Sequence, residues 1–265
     1  MKTLVYIIFL LIWSLSIYAQ AIKYPVGLPS PGLLAYGNKP SDLSFLANIA
    51  SLVNYEKPEL SVVGERRFLM EELQLFSAAG ACKLKGGWAA VALHYRGFET
   101  FKSIDAGVAY ARSLGRLSLG LKFNYSSSSV AGYNGTSFLY AQTGMLVRLT
   151  PRLKFGWQVE NFPSSISKYA GKPRVLYKAG LGYMASPDLL IGTELTKEED
   201  LPLNIHAGFS YTYRRRFFIR AGSQSATGSF YAGAGWAMKE LQLHLSVSHH
   251  PYLGFSPALL LNQKF

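Results

Sequence analysis

The stretch RLSLGLKFNYS, residues 116–126, decides the fold class of this chain. Every second residue from Leu117 to Tyr125 is leucine, phenylalanine or tyrosine, and the residues between them are serine, glycine, lysine and asparagine. Successive side chains of a β-strand point to opposite faces of the sheet, so this period of two predicts a strand with one apolar face and one small or polar face. The same alternation recurs at residues 152–162, 202–213 and 241–248.

Two all-β architectures produce this alternation: a β-sandwich with its apolar faces inward, and a membrane barrel with its apolar face outward. The alternating segments run for about ten residues, which matches the ~9–11 residues that a tilted strand needs to cross a bilayer. Trp157 and Tyr213 lie near strand ends, as in an aromatic girdle, and the chain ends on Phe265. The opposite face mixes glycine with isolated charges, which suits a lumen. The sequence therefore predicts an all-β fold, a transmembrane antiparallel up-and-down β-barrel.

Composition excludes several other classes of protein. The 265 residues are 49% hydrophobic and 16% charged, with abundant aromatic residues, which is not the composition of a disordered chain. A single cysteine, Cys82, excludes a disulfide framework and a cysteine-rich metal site. The formal charge of +12 is scattered along the chain, so we expect no nucleic-acid partner. The five histidines lack partners at the spacing of a triad or metal motif, so we predict no catalytic residues, no metal site, no cofactor and no enzyme.

The connections between the alternating segments predict the number of strands. Six short links alternate with seven longer ones, which gives fourteen strands between about residues 58 and 265, or twelve if boundaries shift. An even strand number with short periplasmic turns and longer outer loops is typical of bacterial outer-membrane barrels, and it places both termini in the periplasm. Long outer loops are expected at residues 126–135 and 163–173. The short links are expected at residues 83–87, 113–116, 150–152, 186–188, 214–216 and 238–240.

The first nineteen residues predict export. Lys2 precedes an apolar stretch that ends in a small residue, Ala19, which is the pattern of a secretory signal peptide over residues 1–19. The alternative is an uncleaved membrane anchor, because the apolar stretch approaches the ~20 residues of a membrane span.

Residues 20–57 form a separate predicted unit ahead of the barrel at residues 58–265. Ser41 can cap a helix over residues 42–52, whose leucine and alanine residues recur at helical spacing. Such a segment is expected either to plug the barrel or to cap its periplasmic rim, and the sequence favours neither alternative.

Charged residues on the polar faces of the strands predict the character of the lumen. They include both signs on neighbouring strands, and an isolated charge away from water is costly. We therefore expect a paired charge network that fills the lumen, rather than an open watery channel lined by unpaired groups. The lumen-facing charges predicted from strand parity are Asp105, Lys122, Lys154, Glu160, Lys178, Glu194 and Arg220.

Several short stretches together resemble the PorV/PorQ-like outer-membrane proteins of Bacteroidetes. These stretches are ERRFLMEEL at 65–73, GVAYARSLG at 107–115, ELTKE at 194–198 and HPYLG at 250–254, followed by the terminal Phe265. The chain departs from the family at residues 47–50, where ANIA lacks the proline of the usual Asn-Pro-Ala segment. The resemblance implies a FadL-type fourteen-stranded barrel in the outer membrane.

The resemblance also carries the functional prediction. It implies a non-catalytic partner or accessory in type IX secretion or cell-surface protein handling. Such a protein would contact outer-membrane lipid and either a secretion translocon or an exported cargo protein. The alternative is a FadL-like or porin-like channel for small hydrophobic solutes.

Overall fold

The computed structural model describes residues 44–165, 174–199 and 201–265, and these form a closed antiparallel barrel of fourteen strands. The predicted fold class and strand number are confirmed. The strands are β1 (Glu59–Arg66), β2 (Gln74–Leu84), β3 (Gly87–Phe98), β4 (Phe101–Leu114), β5 (Leu117–Val130), β6 (Thr136–Arg148), β7 (Leu153–Ser165), β8 (Leu176–Met184), β9 (Leu189–Glu198), β10 (Asn204–Tyr213), β11 (Phe217–Gln224), β12 (Ser229–Met238), β13 (Leu241–His250) and β14 (Gly254–Lys264).

Closure of the sheet depends on the pairing of β1 with β14. Glu59 lies opposite Lys264 and Glu65 lies opposite Ala258, and every other strand pairs with its neighbours in the chain. A closed barrel has no free edge, so the strands satisfy their backbone hydrogen bonds within the sheet even in lipid.

The outer face of the barrel is apolar and the inner face is polar. In β5, the outward-facing Leu119 and Phe123 are 44% and 57% exposed. The inward-facing Lys122 and Asn124, which flank Phe123 in the chain, are only 4% and 3% exposed. This order is the reverse of a water-soluble β-protein, where apolar side chains are inside. It is the order expected when the outer face contacts hydrocarbon.

No α-helix in the described part of the chain has the length and apolar character needed to span a membrane.

The turns at the barrel end where β1 begins and β14 ends, here called the terminal rim, are short. They lie at residues 85–86, 115–116, 149–152, 185–188, 214–216 and 239–240, where the sequence predicts its short links.

The opposite rim differs from its prediction in one strand. The predicted loop over residues 126–135 is wrong for its first half, because β5 continues to Val130 and leaves a loop of only residues 131–135. Ser126 to Ser128 pair with both β4 and β6, and Ser128 Oγ donates a hydrogen bond to Ser103 Oγ at 3.1 Å. A serine-rich run resembles a loop in composition, but here small hydroxyl side chains fit the strand. Residues 166–173 of the other predicted loop lie outside the described residues.

The predicted helix over residues 42–52 is interrupted. α1 covers Ser44–Ala47, and a 3-10 helix covers Ile49–Asn54. Between them, Asn48 has an extended backbone and its side chain accepts a hydrogen bond from the Ala50 N–H at 3.1 Å. Asparagine competes with helix continuation in this way because its side chain can bond nearby backbone groups. The predicted cap Ser41 and the predicted signal peptide lie outside the described residues. Short 3-10 helices also occur at Arg67–Leu69 and Glu71–Leu73.

Candidate functional site in the barrel lumen

The segment just ahead of β1 lies inside the barrel. Ile49, Ala50 and Leu52 are fully buried, and they pack on inward-facing side chains at one side of the lumen. Tyr55 continues this contact, with its ring centroid 5.9 Å from that of Trp88. We call residues 46–55 the lumen segment and the side chains beneath it the apolar wall. The apolar wall consists of Val63, Leu75, Ala79, Ala81, Trp88, Ala90, Ala92, Ala109, Ala111, Ala258 and Leu260.

Polar bonds attach the lumen segment to the other side of the barrel. Asn48 Nδ2 donates a hydrogen bond to the Met145 carbonyl oxygen at 3.1 Å. The Ile49 N–H donates to Gln158 Oε1 at 3.0 Å. Both bonds are made in a largely dry interior, where an unpaired polar group is costly, so they fix the position of the segment.

Two wall glycines provide room for this segment. A Cβ atom added to Gly120 would lie 2.6 Å from the Ala50 nitrogen, and one added to Gly144 would lie 2.4 Å from Asn48 Oδ1. Neither distance is compatible with a real side chain. The lumenal glycines of β5 and β6 therefore permit close approach of the segment to the barrel backbone.

Next to the segment, a group of charged side chains crosses the lumen from β3 to β8. Lys122 is buried, and the carboxylates of Glu160 and Asp105 act on it electrostatically without an ion-pair contact. Glu160 also forms an ion pair with Lys178 and accepts a hydrogen bond from Gln158 Nε2 at 2.8 Å. These contacts match the Glu160 charge with a cation and a hydrogen-bond donor, which helps to tolerate a buried ion, whereas Asp105 Oδ1 is buried without a hydrogen-bond partner among the described residues. We call this group the Lys122 cluster.

The Lys122 cluster extends to two residues of β3 that sequence parity did not single out. Arg96 Nη2 lies 3.4 Å from Asp105 Oδ2. His94 Nδ1 is hydrogen-bonded to Ser77 Oγ at 2.7 Å. The signal was available, because the same alternation that places Trp88 on the inner face of β3 also places His94 and Arg96 there.

Little free space remains beside the Lys122 cluster. The cavity between Leu46, His94, Lys122 and Glu160 has a volume of about 10 Å³. This volume is near the minimum for one water molecule. Where the lumen segment meets the cluster, the lumen is filled.

A bulge in β7 shapes the same region. Asn161 has a left-handed backbone (φ 62°), and the register between β6 and β7 shifts on either side of Ala141. Val159, Glu160 and Asn161 are all buried, so the alternation of inner and outer faces breaks here. Asn161 Nδ2 donates to the Arg174 carbonyl oxygen at 2.8 Å, which holds the bulge.

The seven predicted lumen charges fall into three places. Asp105, Lys122, Glu160 and Lys178 meet in the Lys122 cluster. Arg220 and Glu194 lie on the part of the barrel wall formed by β9 to β13, here called the far wall. Both charges interact electrostatically with the Tyr231 hydroxyl. Lys154 is half-buried at the terminal rim, opposite Arg148.

The far wall combines aromatic and cationic side chains. The Phe218 and His244 rings have centroids 5.2 Å apart, and the Arg220 guanidinium lies 5.4 Å from the Phe218 ring centroid. A Cβ on Gly235 would lie 2.0 Å from Phe218 Cζ, so this glycine makes room for the ring. Strand parity predicts Arg220 and His244 on the inner face, but not their meeting at Phe218, which depends on pairing across β11, β12 and β13.

The lipid-facing surface has a groove of its own. It has a volume of about 590 Å³ across β1 to β6, and its lining is almost entirely apolar. Small residues form its floor, including Ala78, Gly80 and Ala106, and larger ones such as Val91 and Phe123 form its sides. On the lumen side of the same wall, a Cβ on Gly107 would lie 2.4 Å from Asn124 Oδ1.

Within the described ranges, no group of three or more His, Cys, Asp or Glu side chains is placed to hold a metal ion.

Comparison of the whole barrel with solved structures relates it to outer-membrane channels. The CymD monoaromatic hydrocarbon channel is similar with a TM-score of 0.66 and 12% identity, over 89% of this chain and 97% of that chain. The FadL-type fold is shared. A FadL homologue of Pseudomonas aeruginosa has a TM-score of 0.65 and 10% identity, over 89% of this chain and 96% of that chain. The toluene transporter TbuX of Ralstonia pickettii has a TM-score of 0.59 and 9% identity, over 89% and 98%.

No protein-family model matches the sequence, and no curated protein is similar to it at a significant level. The likeness to solved structures is therefore one of fold, at identities of 9–12%. These neighbours in structure are transport channels, which points away from an enzyme. They carry no information specific to PorV/PorQ-like proteins or to Bacteroidetes.

Proposed function

We propose that this chain is a passive channel for small hydrophobic solutes in an outer membrane, closed in this structure by the lumen segment. The observation that carries the proposal is the apolar wall inside an otherwise polar lumen. Ile49 and Leu52 cover this wall. When the segment moves away, an apolar surface is left that a small hydrophobic solute can cover in its place.

The energetics of this exchange favour an apolar solute over a polar one. Burial of apolar surface contributes roughly 25 cal/mol per Å². An apolar solute that takes the place of Ile49 and Leu52 keeps the apolar wall out of contact with water, and so restores the free energy that is lost when the segment moves away. Alanine residues make up most of the apolar wall, so a ring has room beside Trp88 once the lumen segment and the Tyr55 ring have moved away. A neutral hydrocarbon forms no hydrogen bond or ion pair with the nearby polar groups of the Lys122 cluster, so it binds at the apolar wall.

Two of the similar structures carry names that fit this solute class, a monoaromatic hydrocarbon channel and a toluene transporter. For this chain a monoaromatic hydrocarbon is accordingly the first solute to test. The same fold supports an outer-membrane location, and the short turns at the terminal rim support periplasmic termini.

The comparisons favour this function over a role in type IX secretion or cell-surface protein handling. That role, with its translocon or cargo partner and its Bacteroidetes origin, stays a prediction from the resemblance of short sequence stretches. A solute channel is supported by the fold and by the apolar wall together.

Uptake of toluene tests the proposal. Cells that lack other hydrocarbon channels should take up toluene faster when they express the full chain than when they carry an empty vector. Ala90→Asn places an amide on the apolar wall and should lower this rate. Ala89→Asn, on the lipid-facing side of the same strand, is the matched control and should leave it unchanged. Equal uptake with and without the protein would reject a hydrocarbon channel.

Conductance tests the closed state. The intact protein in planar bilayers should be nearly silent, and deletion of residues 20–52 should give frequent openings, because the lumen segment then no longer fills the barrel. Large, steady, ion-selective openings from the intact protein would indicate a porin instead.

A further inference from the structure

Basic residues concentrate at the terminal rim. Ten exposed lysine and arginine residues lie on or beside five of its six turns, whereas the same six turns carry two carboxylates, Asp188 and Glu240. Counted in the same way, the described loops of the opposite rim and the residues beside them carry four exposed carboxylates (Glu71, Glu72, Glu99, Glu199) and three exposed cations (Arg66, Lys102, Lys197). The ten cations are Lys83, Lys85, Arg112, Arg116, Arg148, Arg152, Arg214, Arg215, Arg216 and Lys239.

Nine of the ten cations, all except Arg152, form no ion pair in the part of the chain that the structure describes. Two nearby carboxylates already have other partners, because Glu240 pairs with Lys57 at 2.8 Å and Glu59 pairs with Lys264 at 3.3 Å. The cations of the rim outnumber its carboxylates, so the rim presents an excess of positive charge that an external anion can neutralise.

The turn at residues 214–216 shows that charge, not turn geometry, explains its composition. Arg214 and Arg215 both have left-handed backbones, with φ of 49° and 56°. Asparagine and glycine are the residues that favour this conformation in a tight hairpin. Three consecutive arginines are a poor choice for the turn itself, so the side chains have another use.

The position of these charges along the barrel axis, relative to the edge of the hydrocarbon layer, indicates the kind of anion that they bind. The turns are two to four residues long, so each charge lies close to the outward apolar side chains that mark the edge of the hydrocarbon. Leu84, Leu114 and Leu149 are exposed directly beside these turns, and the Phe217 and Trp236 rings stack at 6.0 Å. Basic side chains at this level extend to the headgroup region, where the phosphates are.

We propose that the terminal rim binds the phosphate groups of anionic phospholipids in the leaflet that faces the periplasm. The leaflet assignment rests on the proposed outer-membrane location with periplasmic termini. Five turns around the circumference fit a ring of headgroups better than a single acidic protein, which would cover one sector. The arginine guanidinium can bind a phosphate through two parallel hydrogen bonds, which adds selectivity to the charge.

Native mass spectrometry of the purified full chain in nanodiscs tests this proposal. The wild type should retain phosphatidylglycerol in preference to phosphatidylcholine. The triple variant R214Q/R215Q/R216Q should lower retention at least about tenfold, since each basic residue near an anionic surface contributes roughly 1 kcal/mol and about 1.4 kcal/mol corresponds to a factor of ten. A matched triple variant at the opposite rim, K102Q/R174Q/K197Q, should retain phosphatidylglycerol as the wild type does. Replacement of the three arginines by lysine should restore most of the retention.

Several outcomes would overturn the proposal. Equal retention of the two lipids by the wild type, or equal losses in both triple variants, would show that the rim is not a selective phosphate surface. Loss of lipid A binding with unchanged phosphatidylglycerol binding would assign the rim to the opposite leaflet. Binding of polyglutamate in place of phospholipid would indicate a protein partner.

Folding of each variant is checked by heat-modifiable migration. Because lipid retention does not depend on solute passage, its result is separate from the toluene uptake result.

Discussion

Gln158 connects Ile49 of the lumen segment with Glu160 of the charged interior. Its Oε1 accepts the Ile49 N–H at 3.0 Å while its Nε2 donates to Glu160 Oε1 at 2.8 Å. The buried amide of Gln158 thus hydrogen-bonds to both the lumen segment and the Lys122 cluster. A displacement of either one therefore changes the hydrogen bonding of the other. This coupling leads to the first prediction.

Gln158→Ala should loosen the lumen segment. The substitution leaves the Ile49 N–H without its acceptor and removes a donor from Glu160, and an unsatisfied buried group costs about 1–3 kcal/mol. We expect a higher open probability in planar bilayers. Gln242→Ala is the control, because Gln242 is also buried and accepts a hydrogen bond from Asn262 Nδ2 at 3.3 Å, but it does not touch the segment. Equal conductance of both variants would contradict the role of Gln158.

Gly144→Val should displace the lumen segment by steric exclusion. The added Cβ alone would lie 2.4 Å from Asn48 Oδ1, the oxygen that accepts the Ala50 N–H, and 3.2 Å from the Ile49 nitrogen, so both the side chain and the backbone of the segment would have to move. We expect an increase in conductance and faster cleavage of residues 46–55 by an added protease. Gly135→Ala is the control, because a Cβ there lies 3.4 Å or more from its nearest neighbours and the backbone is not left-handed. An unchanged protease pattern in Gly144→Val would show that the segment does not depend on this contact.

The sequence could predict the faces of the strands but not what meets inside the barrel. Alternation from Leu117 to Tyr125 was enough to place Lys122 in the lumen, and the same logic applied to β3 would have found Arg96. By contrast, the bond between Ile49 and Gln158 joins residues 109 apart in the chain. Only the closed barrel brings them together, and no local pattern marks the pair.

Local breaks in regular structure were also beyond prediction. The helix stops at Asn48 because its side chain bonds the Ala50 N–H and Met145, and the second of these partners is distant in sequence. The bulge at Asn161 depends on Arg174 in the same way. In both places a tertiary hydrogen bond outweighs the local propensity.

Phe123→Arg should destabilise the barrel because Phe123 faces lipid in the middle of β5, opposite Val108. An arginine on the lipid face costs about 2–4 kcal/mol near the bilayer midplane and less toward the interfaces. We expect a lower midpoint in urea titrations of the protein in lipid vesicles. Lys154→Gln is the comparison, since Lys154 is half-buried on the inner face at the terminal rim and a polar side chain can replace it. A larger loss of stability for Lys154→Gln would reverse the assignment of the two faces.

Lys122 and Glu160 should be energetically coupled. The charge of Glu160 acts on buried Lys122, while Glu160 itself forms its ion pair with Lys178. Removal of either charge leaves the rest of the Lys122 cluster less compensated, so Lys122→Gln and Glu160→Gln should each destabilise the barrel, with the ~3–5 kcal/mol of a broken buried ion pair as the upper limit. The double variant should cost less than the sum of the two, with a coupling energy of about 0.5–3 kcal/mol, because neither charge is then left alone. A parallel cycle between Lys122 and Glu240, which lies at the terminal rim and pairs with Lys57, should show no coupling. Additive losses for Lys122 and Glu160 would mean that water, and not the opposite charge, compensates each of them, and the lumen beside the segment would then have to be open.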